Sequence, residues 1–520
     1  MRLVSVSEMR QIENQAFGAG ISSDHMIQTV GLKIANILDS DCSDKNKMVL
    51  GLIGKGNNGS DTLAILTYLA QKGWETFAWL LSKRESEDRY LKDFLNVSGK
   101  AVDYENDTEE SQLDNWLKQS SIILDGIYGI GFHLPLGEAF RPIFRKINQR
   151  KNPSLIYAID CPSGMDCDTG KIDPDCIRAN RTICIEAVKI GEVLPPANLL
   201  VGELETISLD LPQDLTVYQT IHRTVLDSEV VRMFLPIRPE DGNKSTFGTV
   251  TIVGGSEKYI GAPKLSGIAA FKAGCGYVNM VAPEIIRNLN AGIFSQAIWQ
   301  PADFNSDEGI EIALHSIRDM SKKKGSLVIG PGLGQSPKVF DLVHRILISW
   351  KENPVPLLMD ADGLNALPHI PDWQKNIPDC FVITPHEGEM ARLCNMTVDE
   401  IKTNRIQIAE QKSKEWKTVI VLKGAFTVIA SPDGYTAVMP YANSILAKAV
   451  SGDILSGLIG GFLAQRSLPF EASCLGVWVH AKAAQIAFRQ IGQPYSMSAD
   501  DLLSLIPEAI RMIYQSLPKI

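Results

Sequence analysis

Gly54-Lys55-Gly56-Asn57-Asn58-Gly59-Ser60-Asp61 is a glycine-rich turn between an apolar run, Met48-Val49-Leu50-Gly51-Leu52-Ile53, and a helix-forming run, Thr62-Leu63-Ala64-Ile65-Leu66-Thr67-Tyr68-Leu69-Ala70. Buried strand, glycine turn and helix N-terminus, in that order, present unpaired backbone N–H groups and the positive end of a helix dipole to an anion. The turn is neither G-x-G-x-x-G nor a Walker A sequence, which would end in Lys-Ser/Thr. Its two asparagines and closing aspartate add side-chain oxygens suited to a ribose or a cation beside the phosphate. Taken alone, the stretch reads equally well as an ordinary βα turn rich in Asn and Gly. The rest of the chain breaks that tie.

Outward from this turn, β-rich runs at 48–53, 75–81, 121–124, 155–159 and 181–185 alternate with helical stretches such as 112–119 and 137–148. That alternation predicts a parallel sheet with helices on both faces. Residues 7–37 read as helical and are expected to cover one edge of the sheet. A break at Asp210-Leu211-Pro212-Gln213-Asp214 precedes a connecting helix over 224–234, which places a domain boundary near 220. The second half repeats the pattern, with strands expected at 248–253, 326–329, 356–359, 380–383, 419–422 and 427–430. The fold class is therefore α/β, with two domains, 1–220 and 221–520. No short-period repeat is present.

Composition agrees. A chain of 520 residues is too long for one core. Hydrophobic content of 45% with charged content of 21% belongs to a globular protein. A formal charge of −9 argues against nonspecific binding to nucleic acid or anionic membranes. No apolar run approaches the roughly 20 residues that span a bilayer. The first ten residues carry polar breaks and an acidic residue too early for a signal peptide, so none is expected. Nine cysteines without a C-x-x-C pair indicate neither a disulfide framework nor a zinc site, and a cytoplasmic location is expected.

Three clusters fall where strands of the first half should end, the usual ligand edge of an open α/β sheet. They are residues 57–61, Asp125-Gly126-Ile127-Tyr128-Gly129-Ile130-Gly131-Phe132-His133, and Asp160-Cys161-Pro162-Ser163-Gly164-Met165-Asp166. Each sets an acidic or amide group near the strand tip, with glycine close behind. Together with Glu186-Ala187-Val188-Lys189-Ile190-Gly191 and Val201-Gly202-Glu203-Leu204, they resemble the NAD(P)H-hydrate epimerase domain, a Rossmann-like αβα sandwich. The resemblance implies that Asn57, Asn58, Gly59, Ser60 and Asp61 bind substrate phosphate and that Gly129, Ile130, Gly131, Phe132 and His133 line the substrate site. It further implies that Asn58, Asp125 and Ser163 hold a potassium ion, and that Asp160 meets the hydrated nicotinamide ring as the proton-transfer group. Hard oxygen donors suit such a cation. Ser60 departs from the family's usual glycine and is expected either to weaken the phosphate contact or to donate its hydroxyl to it.

In the second half, Ser451-Gly452-Asp453 opens an apolar helix through Ala464. Amides there would face a transferring phosphoryl group, with the helix dipole adding about 0.3–2 kcal/mol for an anion. Asp453 could accept a proton from a substrate hydroxyl; alternatively it is a helix N-terminal acid beside glycines that aid packing. Five further strand-end segments surround it: Gly254-Gly255 through Ala262-Pro263, Gly330-Pro331-Gly332-Leu333-Gly334, Asp360-Ala361-Asp362-Gly363, Thr384-Pro385-His386-Glu387-Gly388-Glu389, and Leu422 through Thr427. This ordered set resembles the NAD(P)H-hydrate dehydratase branch of the ribokinase-like αβα fold. The resemblance implies that Ala262, Gly332 and His386 contact the hydrated dinucleotide. It places Lys423, Gly424, Ala425, Phe426, Thr427 and Gly452 around the nucleotide, and Asp453 opposite the substrate hydroxyl. Asp360 and Asp362 are expected to organise their strand end. Ala449 and Val450 replace glycines of the family pattern, which predicts an altered anion turn, since β-branched residues disfavour φ > 0.

These resemblances imply a bifunctional enzyme repairing hydrated nicotinamide cofactors. Its substrates would be NADH hydrate and NADPH hydrate, with ADP and magnesium used for dehydration. No nucleic acid or membrane partner is expected, and a homo-oligomer is. A ribokinase-like kinase for a small vitamin precursor and a weakened dinucleotide-binding protein are the alternatives.

Overall fold

The computed structural model describes residues 1–41, 47–85, 87–107, 109–150, 154–321, 324–351, 355–449 and 451–515. Val450 lies outside the described residues, and with it the expectation about its backbone. The chain divides into two compact units, Met1–Arg223 and Thr224–Ile520.

The first unit carries a seven-stranded parallel sheet. Its spatial order is Lys100–Asp103, Glu75–Leu80, Met48–Ile53, Ile122–Gly126, Leu155–Ile159, Arg181–Ile185 and Glu203–Ile207. Strand order reverses between Met48–Ile53 and Ile122–Gly126, so residues 54–61 and Asp125 meet at the topological switch point, where such sheets bind ligands. Side chains of the first strand alternate: Val49 and Ile53 pack with Ile34, Leu63 and Leu66, whereas Leu50 and Leu52 pack with Trp116 and Phe144 on the other face. Gly51 faces the helix Asn57–Gln71, where a Cβ would stand 2.7 Å from Leu66.

Several expectations are corrected here. The N-terminal helical region is two helices, Val6–Gly18 and Ser23–Asp41, and the second lies on a face of the sheet rather than an edge. There Gly31 meets Ala64 of the helix Asn57–Gln71 at a distance that leaves no room for a methyl group. The helix after the glycine turn begins at Asn57, so residues 57–61 are its first turn and not a loop before it. Lys100–Asp103 and Glu203–Ile207 are edge strands whose polar sequences hid them. The connecting helix is only Ser228–Phe234, capped by Asp227, because Arg223–Val225 is a strand.

The second unit carries a ten-stranded sheet in the order Arg223–Val225, Thr436–Val438, Val428–Ala430, Val419–Leu422, Phe381–Ile383, Leu357–Met359, Gly325–Ile329, Thr249–Val253, Tyr277–Ala282, Ile298–Pro301. Pairings from Val419–Leu422 through Ile298–Pro301 are parallel, and the two hairpin partners beyond Val419–Leu422 are antiparallel. Tyr277–Ala282, Ile298–Pro301 and Thr436–Val438 were not expected as strands. The order reverses between Thr249–Val253 and Gly325–Ile329, which brings Gly254 and Gly330–Gly334 together. The helix Ser451–Ala464 is buried from Asp453 to its end. Its glycines permit this: a Cβ on Gly457 would stand 2.1 Å from Ser266 O, and one on Gly460 2.5 Å from Val328. Among the described residues no helix is long and apolar enough to cross a membrane.

Candidate functional site

In the first unit a cleft of about 590 Å³ opens at the switch point. Its lining brings together Asn57, Asn58, Asp61, Gly129, Ile130, Gly131, Phe132, His133 and Asp160, adding Glu13, Arg10 and Lys55. Gly59 and Ser60 are absent from the lining and lie behind it. The N–H groups of Asn57 and Asn58 precede the first helical hydrogen bonds, which run from Gly59 and Ser60 to Gly56 O.

Asp160 occupies a strained corner. Its φ is +67°, and Cys161 N–H bonds back to Ile159 O at 2.9 Å, a γ-turn geometry that is rare for residues other than glycine. Glu186, at the tip of the neighbouring strand, repeats it with φ +62° and a bond from Ala187 N–H to Ile185 O. Asp160 accepts from the ammonium of Lys189, a fully buried lysine, and from Ile185 N–H. Burial pushes the Lys189 ammonium toward losing its proton, but Asp160 and Glu192 outweigh it and hold the group above its ordinary value. Burial, helped by the charges of Asp160 and Glu13, pushes Asp61 well above the carboxylate range. Burial likewise lifts Glu192 to about 8. One site therefore holds a carboxyl that keeps its proton and a carboxylate paired to an ammonium, an arrangement able to donate and accept protons. Lys189 stands within the motif 186–191, yet no signal in the sequence distinguished it from an ordinary strand-end lysine.

Asp125, also fully buried, accepts from Ser163 Oγ at 2.6 Å and Ser163 N–H at 2.7 Å. Burial raises its carboxyl to about 6 against these hydrogen bonds. Asn58 Nδ2 donates to Tyr128 O at 2.8 Å, while Asn58 Oδ1 is buried with no hydrogen-bond partner among the described residues. An orphaned amide oxygen and a buried carboxylate with no cationic partner among the described residues fit a hard cation. Ser60 is corrected on one point: its hydroxyl accepts from Arg84 Nη2 at 2.7 Å and is turned from the cleft lining.

In the second unit the expected segments converge. A Cβ on Gly332 would stand 3.0 Å from that of Ala262, and Ser256 Oγ donates to Gly332 O. Gly334 N–H and Gln335 Nε2 donate to Asp362, so this carboxylate organises its strand end as expected. Lys423 Nζ donates to Asp360 Oδ1 at 2.6 Å and lies 3.8 Å from Glu389 Oε2. The other Asp360 oxygen meets the hydroxyl of Ser456, which also reaches Gly452 O at 3.0 Å. Gly452 thereby lies beside Lys423, its missing Cβ only 3.4 Å from Nζ. Beneath the turn after Lys423, the buried Arg405 donates to Leu422 O and Lys423 O, and its guanidinium fills the space a side chain at Gly424, φ +144°, would need. Thr427 Oγ1 donates to Gly424 O, and Phe426 adopts φ +55°.

Asp453, 8% exposed, has its carboxyl raised to about 7 by burial and by Asp360, against Lys423. Its carbonyl accepts from Ser266 Oγ at 2.6 Å. His386 caps the helix Glu387–Cys394, its Nδ1 accepting from Gly388 N–H and Glu389 N–H. Nε2 lies 3.5 Å from Glu389 Oε1, and burial with Lys423 nearby keeps the imidazole below its usual range. Ser451 N–H turns to Lys448 O in a long 3.5 Å contact, so of the three amides expected at the anion turn, this one faces the chain itself. Lys448 Nζ anchors the segment before the turn to Tyr495 O and Met497 O.

Comparison with known proteins follows this division. Residues 23–191 match a family model described as YjeF-related protein N-terminus, and residues 250–508 match one described as NAD(P)H-hydrate dehydratase. The chain is 33% identical to a bifunctional NAD(P)H-hydrate repair enzyme of Moorella thermoacetica, covering 100% of this chain and 98% of that one. It is 30% identical to the Salinibacter ruber protein of the same description, over 94% of this chain and 92% of that one. Among solved structures, an ADP/ATP-dependent NAD(P)H-hydrate dehydratase of Bacillus subtilis is 27% identical, covers 56% of this chain and 98% of that one, and gives a TM-score of 0.48.

Proposed function

The chain belongs to the family of bifunctional NAD(P)H-hydrate repair enzymes, and from that membership we propose which of its residues carry the two reactions. The first unit interconverts the R and S forms of NAD(P)H hydrate. The second removes water from the S form at the expense of a nucleotide. The observation that carries the reading is a buried carboxyl at the ligand edge of each sheet, Asp160 lining the cleft of the first and Asp453 at the N-terminus of the helix packed on the second.

In the epimerase unit the free amides of Asn57 and Asn58 and the dipole of their helix bind the dinucleotide's phosphate. Residues 129–133 form the wall against which the dinucleotide lies. Asp160 accepts a proton from the hydrated ring, Lys189 holds that carboxylate in place, and Asp61 supplies a proton. Asn58 Oδ1, Asp125 and Ser163 would hold potassium, whose charge would offset the buried carboxylate beside the substrate.

In the dehydratase unit Asp453 takes the proton of the ring hydroxyl as its oxygen attacks the terminal phosphoryl group of ADP, giving AMP and a phosphate ester. Hydroxide leaves poorly and phosphate leaves well, so the C–O bond then breaks with the ring nitrogen's electron pair. Loss of a ring proton restores the dihydropyridine. Gly452 N–H stabilises charge on the phosphoryl oxygens. The turn 423–427 receives the nucleotide, and Ala262, Gly332 and His386 receive the dinucleotide. Magnesium bound with ADP would neutralise phosphate charge, and it needs few protein carboxylates. Asp360 and Asp362, committed to Lys423, Gly334 and Gln335, are not among them. A homo-oligomer acting in the cytoplasm completes the reading; unbridged thiols at all eight described cysteines support the compartment, and sedimentation tests the assembly.

Incubation with mixed R and S NADH hydrate and ADP tests the whole. Recovery of dihydropyridine absorbance from both epimers, with one AMP per turnover, is expected. Accumulation of a stable phosphorylated product would instead identify a kinase.

A further inference from the structure

The glycine turn of the epimerase unit is braced from behind by a cation that never reaches the cleft. Arg84 follows the strand Glu75–Leu80, and its side chain is 6% exposed. Its guanidinium is divided three ways: Nη1 donates to Gly54 O at 2.6 Å, Nη2 to Ser60 Oγ at 2.7 Å, and Nε to Asp88 Oδ2 at 2.7 Å. Asp88 in turn caps the helix Arg89–Asn96 through Leu91 N–H. Gly54 opens the turn and Ser60 lies in the first turn of the helix, so one planar group bridges both ends of the anion-binding segment. Packing leaves no slack: a Cβ on Gly59 would stand 2.0 Å from Gly54 O and 2.8 Å from Arg84 Nη1. Neither Ser60 nor Arg84 lines the cleft, whereas Asn57, Asn58 and Asp61 of the same turn do.

We propose that Arg84 is the positioning residue of the epimerase phosphate turn, and that Ser60 serves as its hydrogen-bond acceptor rather than as a phosphate ligand. The inference rests on reading this unit as the dinucleotide-binding epimerase and specifies how its ligand's phosphate is held. A serine at position 60 gains an anchor that glycine could not offer. The guanidinium fixes the angle at which the Asn57 and Asn58 amides meet the anion, while Asp88 balances its charge. Lysine cannot reproduce that fork.

The test uses the full chain and NADPH hydrate, with dehydratase turnover of the S form by the same molecule as the control for folding. Arg84→Met is expected to raise the epimerase KM about tenfold with kcat within about twofold. Ser60→Gly should raise KM in the wild-type background and add nothing to Arg84→Met, because the two act through one bond. Unchanged KM overturns the proposal, as does a fall in kcat with KM held or a loss of both activities together. If Arg84→Met is insoluble, Arg84→Lys and Ser60→Ala decide in its place, and wild-type KM in both overturns it. A wild-type chain that fails to epimerise would refute the reading of the unit. Arg84 would then be judged by equilibrium binding of NADPH, for which equal affinity in wild type and Arg84→Met overturns the tether.

Discussion

Lys423 Nζ lies 2.6 Å from Asp360 Oδ1, and Asp360 is 1% exposed, so the ammonium at the proposed nucleotide site is already committed to a carboxylate. Removing the lysine leaves a buried charge unpaired, which typically costs about 3–5 kcal/mol. Lys423→Met should therefore lower the melting temperature and weaken ADP binding together. Asp360→Asn added to it should return most of the stability without returning the ADP KM. Calorimetry and steady-state kinetics on the two variants separate the roles.

Asp453 must be ionised to act as a base, and its carboxyl titrates at about 7. Dehydratase kcat/KM should fall roughly tenfold per pH unit below that value. The stability effect has the opposite direction. Because the folded value lies above the ordinary aspartate value of 3.8, folding favours the protonated form, and stability declines as pH rises from about 4 through 7. Asp453→Asn should accordingly be inactive, yet melt higher than the parent at pH 8 and equally at pH 4. A variant that melts lower at pH 8 would contradict this account.

Asp125, raised to about 6 by burial, would link the proposed cation binding to protons in the epimerase unit. A proton competes with potassium for this carboxylate below that value. The potassium concentration giving half-maximal epimerisation should rise as pH is lowered from 7.5 to 5.5. Asp125→Asn should flatten the dependence. Equal potassium requirements at both pH values would remove Asp125 from the cation site.

Lys189 and Asp160 form the buried pair on which epimerisation depends in this reading. Lys189→Met should leave R hydrate untouched while S hydrate is still consumed with ADP, as seen by chromatographic separation of the epimers. The loss expected is at least about 10²-fold, the usual contribution of a proton-transfer group. Consumption of both epimers at the parental rate would show that the pair is structural.

Most central strands were legible as apolar runs, several of them ending in an acid or amide with glycine close behind, a pattern with one economical explanation in an open α/β sheet. What escaped has physical reasons. The polar edge strands Lys100–Asp103 and Glu203–Ile207 bury little and lack the apolar run that marks a central strand. Tyr277–Ala282 is interior but follows a glycine pair and reads as ambiguous between helix and strand. The first turn of the helix Asn57–Gln71 was mistaken for loop because Asn and Gly are poor helix formers, and packing of Gly31 on Ala64 overrides that preference. Lys189, Arg84 and Ser456 act across long sequence separations, which a linear pattern does not encode. The part of Ser60 in binding could not be read without knowing where Arg84 points.

The helix Ser451–Ala464 meets the backbone of Ser266 at Gly457 and that of Ala270 at Gly461, while Gly460 lies against the side chain of Val328. Close backbone contact at Gly457 and Gly461 therefore ties the position of Asp453 to the main chain of the neighbouring helix Ala262–Lys272. Adaptation of this catalyst to new conditions is therefore channelled into its surrounding turns. A single added methyl group on Gly457 or Gly461 would push Asp453 away from its place, because the atom it meets is backbone.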